Sequence, residues 1–179
     1  MKSIVCKQPN QFKLIHSENP FPKHGEAIVS VRRVGICGTD YHAYKGNQPF
    51  ISYPRVLGHE LAGVIEWVSE NPSGLKEGDQ VTVIPYIACG KCIACNKGKL
   101  NCCTKMKVLG VHIDGGMSEQ ISVPFDNLVK TDGLSLDESV VVEPLSIGAH
   151  AVRRANIERD EFVLVIGAGP IGLGIMSFA

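Results

Sequence analysis

Ala27-Ile-Val-Ser-Val-Arg-Arg-Val34 runs straight into Gly35-Ile-Cys-Gly-Thr-Asp-Tyr-His42, and this join decides how the chain is read. The first half is rich in β-branched residues and reads as a strand. The second half gathers a thiol (Cys37), a hydroxyl (Thr39), a carboxylate (Asp40) and an imidazole (His42), between glycines that mark a turn. A soft metal ligand thus sits two positions before a proton-carrying hydroxyl, with an imidazole within reach. Alone, such a cluster reads as a polar turn around a buried cysteine. The rest of the chain changes that reading.

Upstream, Ile4 to Gly35 has the pattern of short strands cut by Asn19-Pro20 and Lys23-His24-Gly25. His16 and His24 read as surface residues and Cys6 as a small core residue. Downstream, Tyr41 to Tyr53 reads as a loop, followed by Pro54-Arg-Val-Leu-Gly-His-Glu60 and an apolar strand from Leu61 to Val68. The His59-Glu60 pair has apolar neighbours on both sides, and a buried charge there needs a partner, which a metal supplies. A turn at Asn71 to Asp79 precedes the strand Gln80 to Pro85, and Lys107 to Gly116 and Ser118 to Pro124 continue the pattern. His112 reads as a bland loop or strand residue. An all-β first half of this kind predicts a small barrel.

Composition narrows the class. Of 179 residues 44% are apolar and 20% charged, an ordinary globular balance. The formal net charge is zero, whereas a phosphate-binding surface shows as a basic excess, so no nucleic-acid partner is expected. No apolar run reaches eighteen residues and the N-terminus lacks a signal-peptide core, so no membrane span and a cytoplasmic address are expected. Seven cysteines in such a chain argue for metal or chemistry over disulfides. Five of them crowd into one stretch, as Cys89-x-x-Cys92-x-x-Cys95 followed by Cys102 and Cys103. That spacing wraps a tetrahedral zinc with four thiolates and leaves it no open position, so the site is structural. Cys102 competes with Cys103 for the fourth place. Lys91, Lys97, Lys99, Lys105 and Lys107 offset the charge of the lobe or simply face solvent.

Ser135-Leu-Asp-Glu138 has capping-box spacing, and Ser139 to Ala155 reads as a helix broken at Pro144. Glu143, directly after three valines, is a carboxylate on an apolar face that must be paired, neutralised or a ligand. Glu161 to Ile166 reads as a buried parallel strand, and Gly167-Ala-Gly-Pro-Ile-Gly172 follows at once before a predicted helix. That context is the one a dinucleotide site requires. Gly167 makes the turn, Gly169 lets backbone approach a pyrophosphate, and Gly172 allows helix-strand packing, with Pro170 and Ile171 between them. The acidic residue expected about twenty positions on lies past Ala179, so both NAD and NADP stay open.

Taken in order, Gly35-Ile-Cys-Gly-Thr-Asp-x-His, Gly58-His-Glu, the cysteine lobe, Glu143-Pro144 and the glycine turn resemble the zinc-dependent medium-chain alcohol and polyol dehydrogenases. The resemblance covers essentially the whole chain. Glu143-Pro144 resembles the polyol-type branch. Gly46-Asn-Gln-Pro-Phe50 with Tyr53-Pro-Arg-Val-Leu-Gly-His-Glu60 resembles sugar-acid oxidoreductases of the L-galactonate 5-dehydrogenase type. The resemblance implies a mainly β, GroES-like, partly open barrel, followed by the first strand and helix of a Rossmann domain. It implies a catalytic zinc on Cys37, His59 and Glu143, with Glu60 as neighbour or exchanging ligand, and a structural zinc on Cys89, Cys92, Cys95 and Cys103. It also implies a proton path through Thr39 and His42, and an Asp40 that orients His59. For the full-length protein it implies two zincs and NAD(P) per subunit, a small polyhydroxylated alcohol or sugar-acid substrate, and a homo-oligomer (dimer or tetramer).

These readings divide the chain into residues 1–155, a catalytic domain with a zinc lobe at 85–107, and residues 156–179, the opening of a dinucleotide-binding domain. One strand and one helix cannot make a doubly wound sheet, so the 179 residues alone are expected to leave apolar surface from Phe162 onward and to be inactive. Tyr41, Lys45, Asn47, Gln48 and Arg55 are candidates for binding a polyhydroxylated acid, or form an ordinary polar loop. The competing function, a zinc-stabilised binding module without catalysis, accounts for the cysteine lobe alone.

Overall fold

The computed structural model describes residues 1–179. Its strands are β1 (Lys2–Gln8), β2 (Gln11–His16), β3 (Glu26–Gly35), β4 (Arg55–Val56), β5 (Glu60–Val68), β6 (Gln80–Val83), β7 (Tyr86–Ile87), β8 (Lys107–Val108), β9 (Gln120–Pro124) and β10 (Leu128–Lys130). Its helices are α1 (Gly38–Lys45), α2 (Ile93–Asn96), α3 (Leu136–Val140), α4 (Val142–Ala155) and α5 (Pro170–Phe178). The β-branched run in β3 makes it the strand that others gather on: it pairs antiparallel with β5 on one edge and β9 on the other. The resulting five-stranded sheet has the order β10-β6-β5-β3-β9, and a three-stranded sheet has the order β2-β1-β4. Residues 117–119 stitch the two together, through Ile4 N–H to Met117 O (2.8 Å), Glu119 N–H to Lys2 O (3.0 Å) and Val31 N–H to Glu119 O (3.0 Å). The product is a mainly β barrel, as the strand pattern predicts, and partly open, as the resemblance implies. Val29, Leu61, Ile65, Val81, Val83 and Val123 fill it, each almost fully buried. Cys6, with no exposure, packs with Ala43 and Leu57 in a second small cluster. The expected surface histidines, His16 and His24, are exposed. No helix is long and apolar enough to cross a membrane.

Three local expectations need correction. The segment after Cys37 is a helix rather than a turn and loop. Cys37 caps α1, Asp40 reaches back to the Cys37 N–H at 2.9 Å, and Gly46 closes the helix in the left-handed region at φ 81°. The break expected at Pro144 falls at Val141 instead, where α3 ends and α4 starts. Pro144 sits in the first turn of α4, where an amide donor has no intrahelical partner to lose. The capping box at Ser135 and Glu138 forms as predicted. Residues 161–166 join no ladder, because no other strand lies beside them. Phe162, Leu164 and Ile166 are accordingly exposed. α5 crosses α4 at close range: a Cβ on Gly148 would lie 2.9 Å from the carbonyl carbon of Gly174.

Asp79 offers a test of the barrel's acid sensitivity. It is buried at the turn before β6, accepts from Lys76 N–H at 3.0 Å and pairs with Lys130 Nζ of β10 at 3.1 Å. Burial pushes its carboxyl up, but these hydrogen bonds and the lysine charges outweigh it, and the net shift is downward. A depressed folded value contributes stability that is complete above the ordinary carboxylate pKa of about 4 and fades as pH falls through the lower folded value. Asp79→Asn is expected to lower stability by about 1 kcal/mol at neutral pH and to flatten the decline below about pH 4, read from urea midpoints across pH.

Candidate metal centre and nucleotide cleft

β3 and β5 are in register at their functional ends, with Gly35 opposite Glu60. Cys37 follows the end of one strand and His59 precedes the start of the other, so pairing alone brings thiol and imidazole together. The sulfur of Cys37, a ring nitrogen of His59 and a carboxylate oxygen of Glu60 all lie within 4.8 Å of one another. Gly35 is needed for this: a Cβ there would lie 2.2 Å from Glu60 Oε2 and 2.8 Å from Glu60 Cβ. Asp40 stands behind the cluster, almost fully buried. Its Oδ2 accepts from Cys37 N–H at 2.9 Å, its Oδ1 from Gly58 N–H at 3.0 Å, and His59 Nδ1 lies 3.8 Å away.

Glu143, in the first turn of α4, is buried and lies outside the tight group of three. Its Oε1 accepts from the Tyr86 hydroxyl at 3.3 Å. Sequence reasoning missed Tyr86, because only the fold carries β7 across to α4. Burial and the Glu143 charge push the Tyr86 phenol up to about 12, so it stays a donor.

The electrostatics are those of an acidic cluster around one imidazole. The hydrogen bond with His59 lowers the Cys37 thiol against burial, with Thr39 adding to the effect. Burial pulls His59 down, but Cys37, Asp40 and Glu143 together leave it raised. Burial raises both Glu60 and Glu143. His59 Nδ1 is buried without a hydrogen-bond partner. Thiolate, imidazole and carboxylate around an unsatisfied centre are a donor set that a divalent cation completes, and zinc accepts all three types. The cluster fits zinc.

In the lobe, the sulfurs of Cys89, Cys92, Cys95 and Cys103 lie within 4.8 Å of one another, with Cys92 and Cys95 at 3.5 Å. Cys103 is buried within this group, and Cys102 is exposed outside it. The Cys103 sulfur also accepts from Cys89 N–H (3.2 Å) and Lys105 N–H (3.4 Å). Hydrogen bonds from backbone N–H groups lower Cys92 to about 5, whereas burial raises Cys95 to about 11. One thiol already poised as thiolate within a four-sulfur cage fits a tetrahedral zinc.

A cavity of about 780 Å³ joins the halves of the chain. Cys37, Thr39 and His42 line it from the barrel, and Gly167, Gly169 and Ile171 line it from the glycine turn, with Pro170 and Gly172 beside them. A Cβ on Gly169 would meet nothing within 4 Å, which leaves the backbone approachable, whereas one on Gly172 would lie 2.0 Å from Gly167 O. The turn therefore packs on itself and opens outward, at the N-terminus of α5. The substrate-loop candidates divide. Lys45 stacks over the Tyr41 ring at 5.6 Å. Arg55 pairs with Asp114 at 3.0 Å and lines a different groove. His112 is a loop residue whose Nδ1 accepts from Val108 N–H at 3.2 Å.

Comparison with known proteins places these features in a family. Residues 23–133 match the alcohol dehydrogenase GroES-like domain. The L-galactonate-5-dehydrogenase of Escherichia coli K12 is 52% identical over 179 residues, which are all of this chain and 53% of that protein. A zinc-type alcohol dehydrogenase-like protein of Haemophilus influenzae is 42% identical over 97% of this chain and 51% of its own length. The crystal structure of the alcohol dehydrogenase RspB of E. coli CFT073, complexed with NADH, superposes with a TM-score of 0.90 at 44% identity. That match covers 98% of this chain and 51% of RspB. The chain spans about half the length of the curated relatives it matches.

Proposed function

The chain belongs to the family of alcohol dehydrogenase GroES-like domains, and on that footing we propose that it is part of a zinc-dependent, NAD(P)-linked dehydrogenase that oxidises a secondary alcohol of a polyol or sugar acid. The observation that carries this reading is the shared cavity, which puts Cys37, Thr39 and His42 opposite the glycine turn. We assign residues 1–155 to the catalytic unit, with its lobe at 85–107, and residues 156–179 to the start of the nucleotide-binding unit.

In this reading Cys37, His59 and Glu143, with Glu60 as exchanging neighbour, hold the catalytic zinc, and Cys89, Cys92, Cys95 and Cys103 hold the structural one. Zinc at the first set supplies a Lewis acid for an alcohol oxygen, and the nicotinamide supplies the hydride acceptor. Thr39 takes the hydroxyl proton, and His42, one turn further along α1 and exposed, passes it outward. Asp40 fixes the backbone on both sides of the site, at Cys37 and at Gly58. Val152, Ile157 and Val163 line the cavity with apolar surface on the side of the glycine turn. The 52% identity to an L-galactonate-5-dehydrogenase favours a sugar-acid substrate over a simple alcohol.

Metal analysis tests the assignment without requiring turnover. After dialysis, wild type is expected to hold two zinc ions per chain and Cys37→Ala one. One zinc in both proteins would leave only the lobe filled, in favour of a zinc-stabilised binding module.

A further inference from the structure

Tyr86 is the side chain that hydrogen-bonds from the ribbon carrying the cysteine lobe to the buried acid at the start of α4. The backbone around it is held at three points. Asn127 Nδ2 donates to Ile84 O (2.7 Å) and to Tyr86 O (3.1 Å), and Leu109 N–H donates to Pro85 O (3.1 Å). Tyr86 also pairs with Val108 across the β7–β8 ribbon. From this anchored position its hydroxyl donates to Glu143 Oε1 at 3.3 Å. Tyr86 as a whole is 43% exposed, with its hydroxyl turned to the buried acid. Glu143 makes no other side-chain hydrogen bond, and no cation pairs with it. The carboxylate outside the tight group of three is thus aimed by a single phenol.

We propose that Tyr86 is a positioning residue that fixes Glu143 for the metal bound by Cys37 and His59. This rests on the dehydrogenase reading above and deepens it by naming what holds its outermost ligand. A phenol suits the task because it donates one hydrogen bond to one carboxylate oxygen and leaves the second oxygen for a cation. The β7–β8 ribbon that holds Tyr86 continues into Cys89, so Glu143 is aimed from the lobe side of the molecule rather than from its own helix.

The test is metal affinity in Tyr86→Phe, which removes one oxygen and keeps the ring. Zinc is titrated against a chelator, and cobalt(II) loading is followed by its visible absorption. Tyr86→Phe is expected to weaken the second-bound zinc by about tenfold or more and to change the cobalt spectrum of that site, while the lobe keeps its zinc. In a Glu143→Ala background, which removes the acceptor, Tyr86→Phe is expected to add less than about twofold, since its effect runs through the carboxylate. A second-site affinity equal to wild type overturns the proposal, and so does an equal loss in the Glu143→Ala background. General damage to the fold would release both metals, which also counts against it. A wild-type chain that takes up only the lobe zinc fails the dehydrogenase reading itself, and this inference with it.

Discussion

Cys103→Ala is expected to empty the lobe and unfold residues 86–108, whereas Cys102→Ala leaves both metal and fold intact. The two cysteines are neighbours in sequence and opposite in environment. Cys103 is buried and belongs to the four-sulfur group, and Cys102 is exposed and outside it. Nothing else in the lobe substitutes for a metal. β7 and β8 contribute two residues each, α2 has four, and Ile93 and Leu100 are 70% and 54% exposed. A segment with so little apolar burial cannot offset its chain entropy. A four-thiolate zinc contributes on the order of 10 kcal/mol in small structural sites, so losing one ligand removes most of what holds the lobe. Zinc per chain, with tryptic cleavage at Lys91, Lys97, Lys99 and Lys105 as the structural readout, separates the variants. Zinc loss from Cys102→Ala instead would reverse the ligand assignment.

Gly115→Ala is expected to destabilise the barrel by about 3 kcal/mol or more, lowering the melting temperature by roughly 6–12 °C. The added methyl would lie 2.2 Å from Gly58 O, 2.7 Å from Leu57 O and 2.7 Å from Gly110 Cα. All three are backbone atoms, so no rotamer change relieves the overlap. The segments must part, and with them go the bonds from Gly115 N–H to Val56 O (2.8 Å), Gly116 N–H to Gly58 O (2.9 Å) and Met117 N–H to Leu57 O (2.9 Å). His59 directly follows Gly58, so zinc uptake at the Cys37 set is expected to fall as well. Gly38→Ala is the control, because its methyl meets nothing within 4 Å and its position is helical. A melting temperature for Gly115→Ala equal to wild type would show that the two segments separate freely.

How much of this was legible beforehand depends on how local each signal is. The lobe cysteines lie close in sequence, so their spacing almost specifies their geometry, and the fold adds only that Cys103 rather than Cys102 lies within the group. The strand character of Ala27 to Val34 is equally local. Cys37, His59 and Glu143 are far apart in the chain, and only resemblance assembled them; β3–β5 pairing is the physical reason the first two meet. α1 escaped notice because its capping box uses a cysteine at the cap, outside the usual Ser, Thr, Asp and Asn set. Tyr86 was invisible for a stronger reason. Its contact with Glu143 spans 57 residues and depends on where α3 ends and α4 begins. No period or spacing in the sequence encodes such a contact.

The two bonds of Asp40 have a consequence in chain entropy. Its carboxylate ties Cys37 to Gly58, 18 residues beyond Asp40, and so closes the loop between the segments that carry Cys37 and His59 with one side chain. Closing a flexible loop of that length opposes ordering by about 2.5 kcal/mol beyond the fixed part of the closure term. In the folded barrel that loss has already been met by protein contacts. A cation arriving at Cys37 and His59 therefore meets a ring that is already closed. Its binding free energy is not diminished by gathering that loop.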